Sequence, residues 1–477
     1  MGAGDLFALL PFLIVVATAL AVLSSIAVRR SHAAAAGLTV AGLALALVSL
    51  APVARVVPWP ATSLVMIDLY ALVYFGLLLS AALVVAVLSH GYLARQDALR
   101  EEYYVLLLLA TLGAMTLAAA THFASFFLGL ELLSVSLYAM IAFLHARPAS
   151  IEAGMKYLVL AGASSAFLLF GMALVYADLG RMDFGGIASM LLGRGGDRSW
   201  VGPGLGLVFV GIGFKLAVAP FHLWTPDVYE GAPAPVTAFV ATVSKGGMVA
   251  LLVRFFAIVG VGPALWTALA VVAGLSMSLG NLLALLQGNV KRLLAYSSIA
   301  HMGYLLVAFL VGGRLGVEAA TFSLVAYFVT TLAAFGVVAV LSGSERDADR
   351  LEDVRGLFWR RPFLAATLAA ALLSLAGIPL TGGFVAKLYL VAAGVRGALW
   401  TLVALLAVNS VVGLYYYLRV LVAMAAEPAP EAGTVSGAVA SISLAASVVL
   451  ALLVLALVWL GVWPGPVLSL IHVAAGI

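Results

Sequence analysis

The chain has 477 residues, of which 65% are hydrophobic and only 9% are charged, and its formal net charge is +4. About a quarter of the residues of a typical soluble domain are charged, so this composition excludes a water-soluble fold and indicates an integral membrane protein. The absence of cysteine excludes disulfides, thiol catalysis and iron–sulfur clusters ligated by this chain. The basic residues are scattered over short connections, so no nucleic-acid partner is indicated.

Apolar runs of about 20 residues between polar breaks predict an all-α, polytopic membrane protein with fourteen transmembrane helices. The predicted spans are 5–28, 33–54, 66–89, 103–121, 123–144, 155–177, 203–225, 234–258, 264–287, 293–312, 317–342, 363–392, 396–424 and 438–463. The first run has no basic residue before it and is followed by Arg29 and Arg30. It is therefore predicted to be a span and not a cleaved signal peptide.

The distribution of basic residues between the two sets of loops predicts the orientation. With the N-terminus outside, thirteen fall on the cytoplasmic side: Arg29, Arg30, Arg95, Arg100, Arg147, Lys291, Arg292, Arg346, Arg350, Arg355, Arg360, Arg361 and Arg419. Seven fall on the external side: Arg55, Arg181, Arg194, Arg198, Arg254, Arg314 and Arg396. The cytoplasmic excess predicts that both termini are external. The other four basic residues are lysines inside spans.

Two connections are long and polar. The first covers 177–200 and contains the glycine-rich run GRGGD; the second, 342–361, reads SGSERDADRLEDVRGLFWRR and is dense in charges of both signs. A charged run of this kind is usually a solvated surface, and docking of a partner subunit is the alternative.

A weak internal symmetry relates spans four to eight and spans nine to thirteen. In both sets of five, the fourth span is interrupted, by Pro220 in the first set and by the run GIPLTGG in the second, and carries a lysine, Lys215 or Lys387. Because five is odd, the second set starts from the opposite side of the membrane. The pattern predicts an inverted repeat: N-terminal helices in 1–100, repeats in 101–260 and 261–425, and a C-terminal helix in 426–477.

Three ionisable residues surround the first interruption. Lys215 lies in a wholly apolar helix, Pro220 removes a backbone donor five residues on, and Lys245 follows one span later. A lysine can take up and release a proton inside a membrane, which an arginine cannot; hydrogen bonding to carbonyls at the break is the alternative. His222 falls on the face of Lys215 if the helix continues, either as a relay or as a structural hydrogen-bonding residue.

Glu131, in FFLGLELLSVSLYAM, is the acid that lies well inside a span, and Ser134 and Tyr138 share its helix face. An isolated carboxylate would not stay charged in hydrocarbon, so Glu131 needs a partner. Lys156 on the next helix is the candidate. The pair is either a static brace between two helices or a proton-handling pair.

The second set carries its own polar residues. Ser297, His301 and Tyr304 form a stripe on the tenth span, which is typical of a hydrated channel but also of hydroxyl packing between membrane helices. Lys387 follows the second break and is a candidate for the last proton-loading site. No metal-binding, nucleotide-binding or nucleophile motif occurs.

At these residues the chain resembles the antiporter-like membrane subunits of respiratory complex I, the proton-pumping NADH:quinone oxidoreductase, a family related to the Mrp antiporters. The segments that carry the resemblance are HFASFFLGLELLSVSLYA, GMKYLVLAGASSAFLLFGMAL, FKLAVAPFHLWTPDVYEGAPAPVTAFVATVSK, KRLLAYSSIAHMGYLL and GIPLTGGFVAKLYL. They lie between Glu102 and Tyr417. Within this family, the lysine that follows GIPLTGGF, Lys387, favours the subunit N branch over subunit M, which resembles it but carries glutamate at that position. The absence of a long C-terminal amphipathic helix disfavours subunit L.

The resemblance implies fourteen helices in two inverted five-helix repeats, with the seventh, eighth and twelfth helices interrupted. It implies an ion pair of Glu131 and Lys156, central lysines Lys215 and Lys245, and a distal Lys387. His222 and His301 would connect them. It also implies a bacterial inner-membrane location, neighbouring membrane-arm subunits and lipid as partners, and no cofactor in this chain. Flavin, iron–sulfur clusters, NADH and quinone would be bound by other subunits.

The function predicted is proton translocation coupled to quinone reduction elsewhere in complex I. Two alternatives remain at this point. One is a cation/proton antiporter subunit of the Mrp type, and the other is a scaffold subunit that does not pump. The intramembrane lysines argue against a scaffold, because buried charges are costly.

Overall fold

The computed structural model describes residues 2–96, 100–192, 199–427 and 442–476, and in these ranges helices are joined by turns and isolated β-bridges. Arg194 and Arg198, which were counted on the external side, lie outside the described residues, as do the whole GRGGD run and 428–441. The helices are α1 Ala3–Ala8, α2 Leu10–Val28, α3 His32–Val53, α4 Leu69–Leu93, α5 Glu102–Ala119, α6 Phe123–Ile141, α7 Pro148–Leu179, α8 Phe184–Leu192, α9 Val201–Leu216, α10 Trp224–Gly231, α11 Ala234–Phe239, α12 Lys245–Val259, α13 Pro263–Ala284, α14 Val290–Val311, α15 Gly313–Leu341, α16 Leu351–Val354, α17 Leu357–Arg360, α18 Pro362–Ala376, α19 Gly382–Arg396, α20 Trp400–Ala425, α21 Leu444–Val462 and α22 Gly465–Ala474.

Fourteen membrane passes are formed from these elements. Twelve are helices long and apolar enough to cross a membrane. The other two are broken passes, one built from α9 and α10 and one from α18 and α19. The prediction of an all-α membrane fold is therefore confirmed, and the pass at Ala234–Val259 lies at the centre of the bundle, fully surrounded by protein.

The two predicted interruptions lie where proline and glycine chemistry puts them. Helix α9 ends at Leu216, the residue whose carbonyl loses its donor because Pro220 has no N–H, and Ala217 then adopts φ 60°. Helix α18 ends before Gly377, which has φ 85°. Because α9 stops at Leu216, the helical alignment of Lys215 with His222 does not exist; His222 lies in the turn that follows.

The eighth pass, which the resemblance implies is interrupted, is interrupted by a wider helical turn and not by a loop. A π-helical turn, Val240–Ser244, lies between α11 and α12 and ends immediately before Lys245. Such single π turns are rare and are frequent at functional sites.

Corresponding helices of the two five-helix sets pack in the same pairs. Helix α5 packs on α6 and α12, and α13 packs on α14 and α20. Backbones approach closely in both sets: a Cβ on Gly113 would lie 2.5 Å from the nitrogen of Leu133, and one on Gly280 would lie 2.7 Å from the nitrogen of Ala300. Small residues at such crossings let membrane helices pack backbone to backbone.

The long connections differ from the predictions. The first, 177–200, contains the tail of α7 and all of α8. The second, 342–361, was predicted to be a solvated surface, but Asp347 within it is only 6% exposed. It folds back onto the bundle, where Asp347 pairs with the buried Lys291 and with Arg147.

Candidate functional site

Lys215 lies in the last turn of α9 and is 2% exposed. Its Nζ donates hydrogen bonds to Ser134 Oγ on α6 and to Tyr157 Oη on α7, both at 2.9 Å. The carbonyls at the end of a helix carry partial negative charge, which favours a cation at this position. The break in α9 therefore stabilises the lysine without a carboxylate.

Lys245 begins α12, directly after the π turn, and is fully buried. Its Nζ donates to Ser298 Oγ at 2.6 Å. Ser298 Oγ also lies 2.6 Å from Tyr327 Oη and 3.4 Å from Tyr229 Oη. Ser298 thus joins the first set of helices to the second through a cluster of hydroxyl groups.

Lys387 lies on α19, and its Nζ donates to the carbonyl oxygen of Ala376 at 2.8 Å. Ala376 is the last residue of α18, so this lysine also meets the negative end of a broken helix. A cavity adjoins Lys387, His301, Tyr304, Tyr327 and Ser374. The cavity has a volume of about 30 Å³, which is room for about two waters.

His301 connects this cavity to the Ser298 cluster. Its Nδ1 lies 2.9 Å from the carbonyl oxygen of Ser297, and because a carbonyl only accepts, Nδ1 carries the proton. The ring packs 5.6 Å from the ring of Tyr327, whose hydroxyl contacts Ser298. Lys245, His301 and Lys387 therefore lie along one series of neighbouring polar and aromatic side chains. The relay role of His301 remains a prediction.

The expected pairing of Glu131 with Lys156 is wrong for this structure. Glu131 accepts a hydrogen bond from Ser165 Oγ at 2.6 Å. Lys156 Nζ lies 2.7 Å from carboxylate oxygens of both Glu152 and Asp227. Glu152 is one turn away on the same helix, and the broken seventh pass places Asp227 on the short helix α10 beside the start of α7. Lys156 therefore meets two nearer carboxylates.

These contacts continue into the second set. Arg292 Nη1 lies 2.7 Å from Asp227 and 2.9 Å from Glu230. The charged side chains of this group are between 29% and 67% exposed, so each pair contributes little to stability individually. Asp227 nevertheless bridges Lys156 of α7 and Arg292 of α14.

His222 is 6% exposed, and its Nδ1 has no hydrogen-bond partner among the described residues. The adjacent Thr225 Oγ1 is also without a partner there. Buried polar atoms normally bond to protein or to water. The relay and the structural interpretation of His222 both remain predictions.

Lys291 was assigned to a cytoplasmic loop, but it lies in the first turn of α14 and is 1% exposed. Its Nζ lies 2.7 Å from Asp347 Oδ2 and donates to the carbonyl of Ala232 at 2.6 Å. Asp347 also contacts Arg147 at 3.0 Å and the hydroxyl of Tyr92 at 2.6 Å. Burial alone would raise the pKa of the Asp347 carboxyl, but Lys291, Tyr92 and Arg147 hold that pKa below 3.8.

Sequence reasoning missed several of these partners. Ser298, Tyr157, Tyr229, Tyr327 and Asp227 all lie in or next to predicted spans, and hydroxyl groups or acids at such depths are the signal that could have found them. Their contacts run between helices that are distant in sequence. Helical periodicity identifies a face but not the helix opposite it.

The sequence matches a known protein family and close relatives within it. Residues 120–413 match the model of the family described as NADH:quinone oxidoreductase/Mrp antiporter, TM. NADH-quinone oxidoreductase subunit N of Ectopseudomonas mendocina is 48% identical over 99% of this chain and 97% of its own length.

The fold also matches those of solved membrane-protein structures. A chain of respiratory complex I from Thermus thermophilus is 35% identical, with TM-score 0.81 over 96% of this chain and 98% of that one. A chain of the Mrp complex from Dietzia is 20% identical, with TM-score 0.86 over 100% of this chain and 97% of that one, which shows a shared fold alone. The chain therefore belongs to the NADH:quinone oxidoreductase/Mrp antiporter transmembrane family, in its NADH-quinone oxidoreductase subunit N branch.

Proposed function

We propose that this chain is a proton-translocating subunit in the membrane arm of respiratory complex I, where it couples quinone reduction elsewhere in the complex to proton transfer. The observation that carries the proposal concerns Lys215, Lys245 and Lys387, named here the carboxylate-free lysines. Within the described residues, no carboxylate oxygen lies within the 4.0 Å ion-pair distance of any of their Nζ atoms. A lysine held by neutral groups can release its proton at modest cost, and one held in an ion pair cannot.

The proposed transfer uses the contacts described above. Lys215 exchanges its proton within the Ser134 and Tyr157 hydroxyl pair, and Glu131, one turn before Ser134, changes the local charge that favours it. Lys245 passes a proton through the Ser298 hydroxyl cluster toward His301. Lys387, beside the cavity, is the distal site. His222 is proposed as a relay at the broken end of α9, and Lys156 as a charge that responds to the state of its carboxylate partners.

The two five-helix sets, 101–260 and 261–425, are proposed to be inverted repeats that each provide half of the route. The chain is a multi-pass inner-membrane protein, and both termini are proposed to be periplasmic. It performs no redox catalysis itself. Flavin, iron–sulfur clusters, NADH and quinone are proposed to belong to other subunits, and neighbouring membrane-arm subunits are the partners.

The test is to measure quinone reduction and proton pumping side by side in membranes that contain assembled complex carrying Lys215→Ala. We expect pumping and turnover to fall together, because the two are coupled. Arg355→Ala is the control, since Arg355 is exposed and its side chain, within the described residues, hydrogen-bonds to the carbonyl of Glu427 at 3.3 Å. Normal pumping by an assembled Lys215→Ala enzyme would contradict the proposal and leave the scaffold function.

A further inference from the structure

The five lysines of the chain have two kinds of partner. Lys156 and Lys291 are ion-paired and are named here the paired lysines. Each carboxylate-free lysine instead lies beside a tyrosine that is at most 2% exposed, Lys215 at the hydroxyl end of its tyrosine. The distances from Nζ to ring centroid are 5.4 Å for Lys215 and Tyr157, 5.8 Å for Lys245 and Tyr229, and 5.6 Å for Lys387 and Tyr304.

We infer that Tyr157, Tyr229 and Tyr304 are positioning residues that take the place of counter-ions, each holding the protonated form of its lysine through neutral contacts. The inference rests on the proposed function and extends it to the groups that determine how strongly each proton is held. An aromatic face attracts an ammonium within about 6 Å of the ring centroid, and the attraction is strongest where water is excluded.

A neutral partner suits a transported proton better than a carboxylate does. When a buried lysine is paired with a carboxylate, loss of the lysine proton leaves the carboxylate as a buried charge without a partner. This cost opposes release of the proton. A ring or a hydroxyl favours the cation but leaves no such charge after the proton has gone. Binding at a transport site must be strong enough for entry and weak enough for release.

The three tyrosines use different parts of the side chain. Tyr157 Oη is itself 2.9 Å from Lys215 Nζ, so its hydroxyl is the main contact. Tyr304 Oη accepts a hydrogen bond from Asn281 Nδ2 at 2.8 Å, which fixes the ring against Lys387. Tyr229 Oη is 3.4 Å from Ser298, the residue that holds Lys245. Ring and hydroxyl can therefore be separated by mutation.

The experiment compares Tyr304→Phe, which keeps the ring, with Tyr304→Leu, which removes it, in the assembled complex. We expect Tyr304→Phe to pump within twofold of the unmodified enzyme. Tyr304→Leu should lose about tenfold, and the decline of its turnover at alkaline pH should move to lower pH by about one unit, because the cation of Lys387 has lost the ring. At Tyr157 the order differs: Tyr157→Phe should already lose activity.

Tyr103→Leu is the matched control. Tyr103 is 1% exposed and bonds to Ser89, and its ring packs on Tyr104 and Phe143. The control should lose stability through the cavity it creates, with an unchanged pH profile. If Tyr304→Leu behaves like Tyr103→Leu, or if Phe and Leu at position 304 are equivalent, the inference is wrong.

A second measurement does not depend on removing volume. Fluorinated phenylalanines at position 304 keep the shape of the ring and weaken its negative face stepwise. We expect the alkaline limb to move stepwise with fluorine content, and an unchanged limb would overturn the inference even if Tyr304→Leu fails to fold. Lys387→Ala in the same membranes separates the two ideas: normal pumping there contradicts the proposed function, whereas lost pumping with no ring effect contradicts only the inference.

Discussion

Lys291 and Lys245 are 1% and 0% exposed, yet the groups around their ammonium nitrogens differ in charge. Lys291 lies 2.7 Å from the carboxylate of Asp347, which Arg147 also contacts. Lys245 bonds to a serine hydroxyl and has a tyrosine ring beside it. The same side chain, equally buried, is thus placed in an ionic cluster at one end of the bundle and in a neutral cluster within it.

The charge of the partners determines whether each lysine is suited to anchoring the fold or to releasing a proton. The ionic cluster joins α4, the connection after α6, the start of α14 and the connection after α15, so it fixes four parts of the chain to one another. Removing Lys291 would leave the buried carboxylate of Asp347 with Arg147 as its remaining cation. The neutral cluster tolerates loss of the lysine proton, because every remaining group there is uncharged. Burial therefore does not distinguish these two lysines, whereas the charge of their partners does.

The largest effect is expected from Lys291→Met. It leaves Asp347 buried with Arg147 and Tyr92 only, and loss of one partner of a buried ion pair costs about 3–5 kcal/mol. Assembly yield and thermal unfolding of the purified complex are the measurements. Arg346→Ala, which breaks a pair with Asp353 whose arginine is 40% exposed, should cost no more than about 1 kcal/mol. Equal losses in the two variants would contradict the anchoring role.

Acid should weaken the same cluster gradually. The pKa of Asp347 is lower in the folded chain than its ordinary value of 3.8. Its contribution to stability is therefore complete above that ordinary value and is lost as pH falls through the lower, folded value. Thermal unfolding between about pH 2 and pH 5 should show this acid limb, and Asp347→Asn should lack it. A limb of the same size in Asp347→Asn would assign the acid sensitivity to other groups.

Arginine substitution tests the two lysine classes directly. Arginine keeps its charge at all accessible pH values, so it can replace an ion-pair partner but cannot release a proton. We expect Lys156→Arg, between Glu152 and Asp227, to keep most pumping, and Lys245→Arg to lose at least about tenfold. Proton pumping and quinone reduction, measured side by side, are the readouts. Retained pumping in Lys245→Arg would remove this lysine from the transfer route.

Hydropathy and breaker residues predicted the fold because both act locally. Apolar runs located the fourteen passes, and Pro220 and the GIPLTGG run located both broken helices. The end of α9 at Leu216 follows from the missing N–H of Pro220 alone. Each of these features depends on residues within about one or two helical turns of one another, so the sequence alone contains the information needed to predict it.

Partner choice could not be predicted in the same way. Lys156 was expected to meet Glu131, but α10 brings in Asp227, 71 residues away along the chain. Asp347 and Lys291, 56 residues apart, meet because a charged connection folds inward. Such contacts depend on how helices pack in space, and the intervening residues do not encode them locally. The same holds for Ser298, whose position on the tenth span says nothing about Lys245.

The smallest effect expected is from Gly377→Ala, which tests the last lysine of the carboxylate-free class. Gly377 has φ 85°, and a Cβ there would lie 2.8 Å from Cδ and 3.3 Å from Nζ of Lys387. Gly180→Ala is the control, because Gly180 has φ 61° and nothing within 4 Å of a Cβ. Both variants should lose about 1–2 kcal/mol of stability, because alanine is strained in the left-handed backbone conformation. Only Gly377→Ala should also slow pumping, by a few-fold, since the alanine methyl displaces Lys387 from the carbonyl of Ala376. Equal pumping in the two variants would mean that the position of Lys387 at the end of α18 does not matter for transfer.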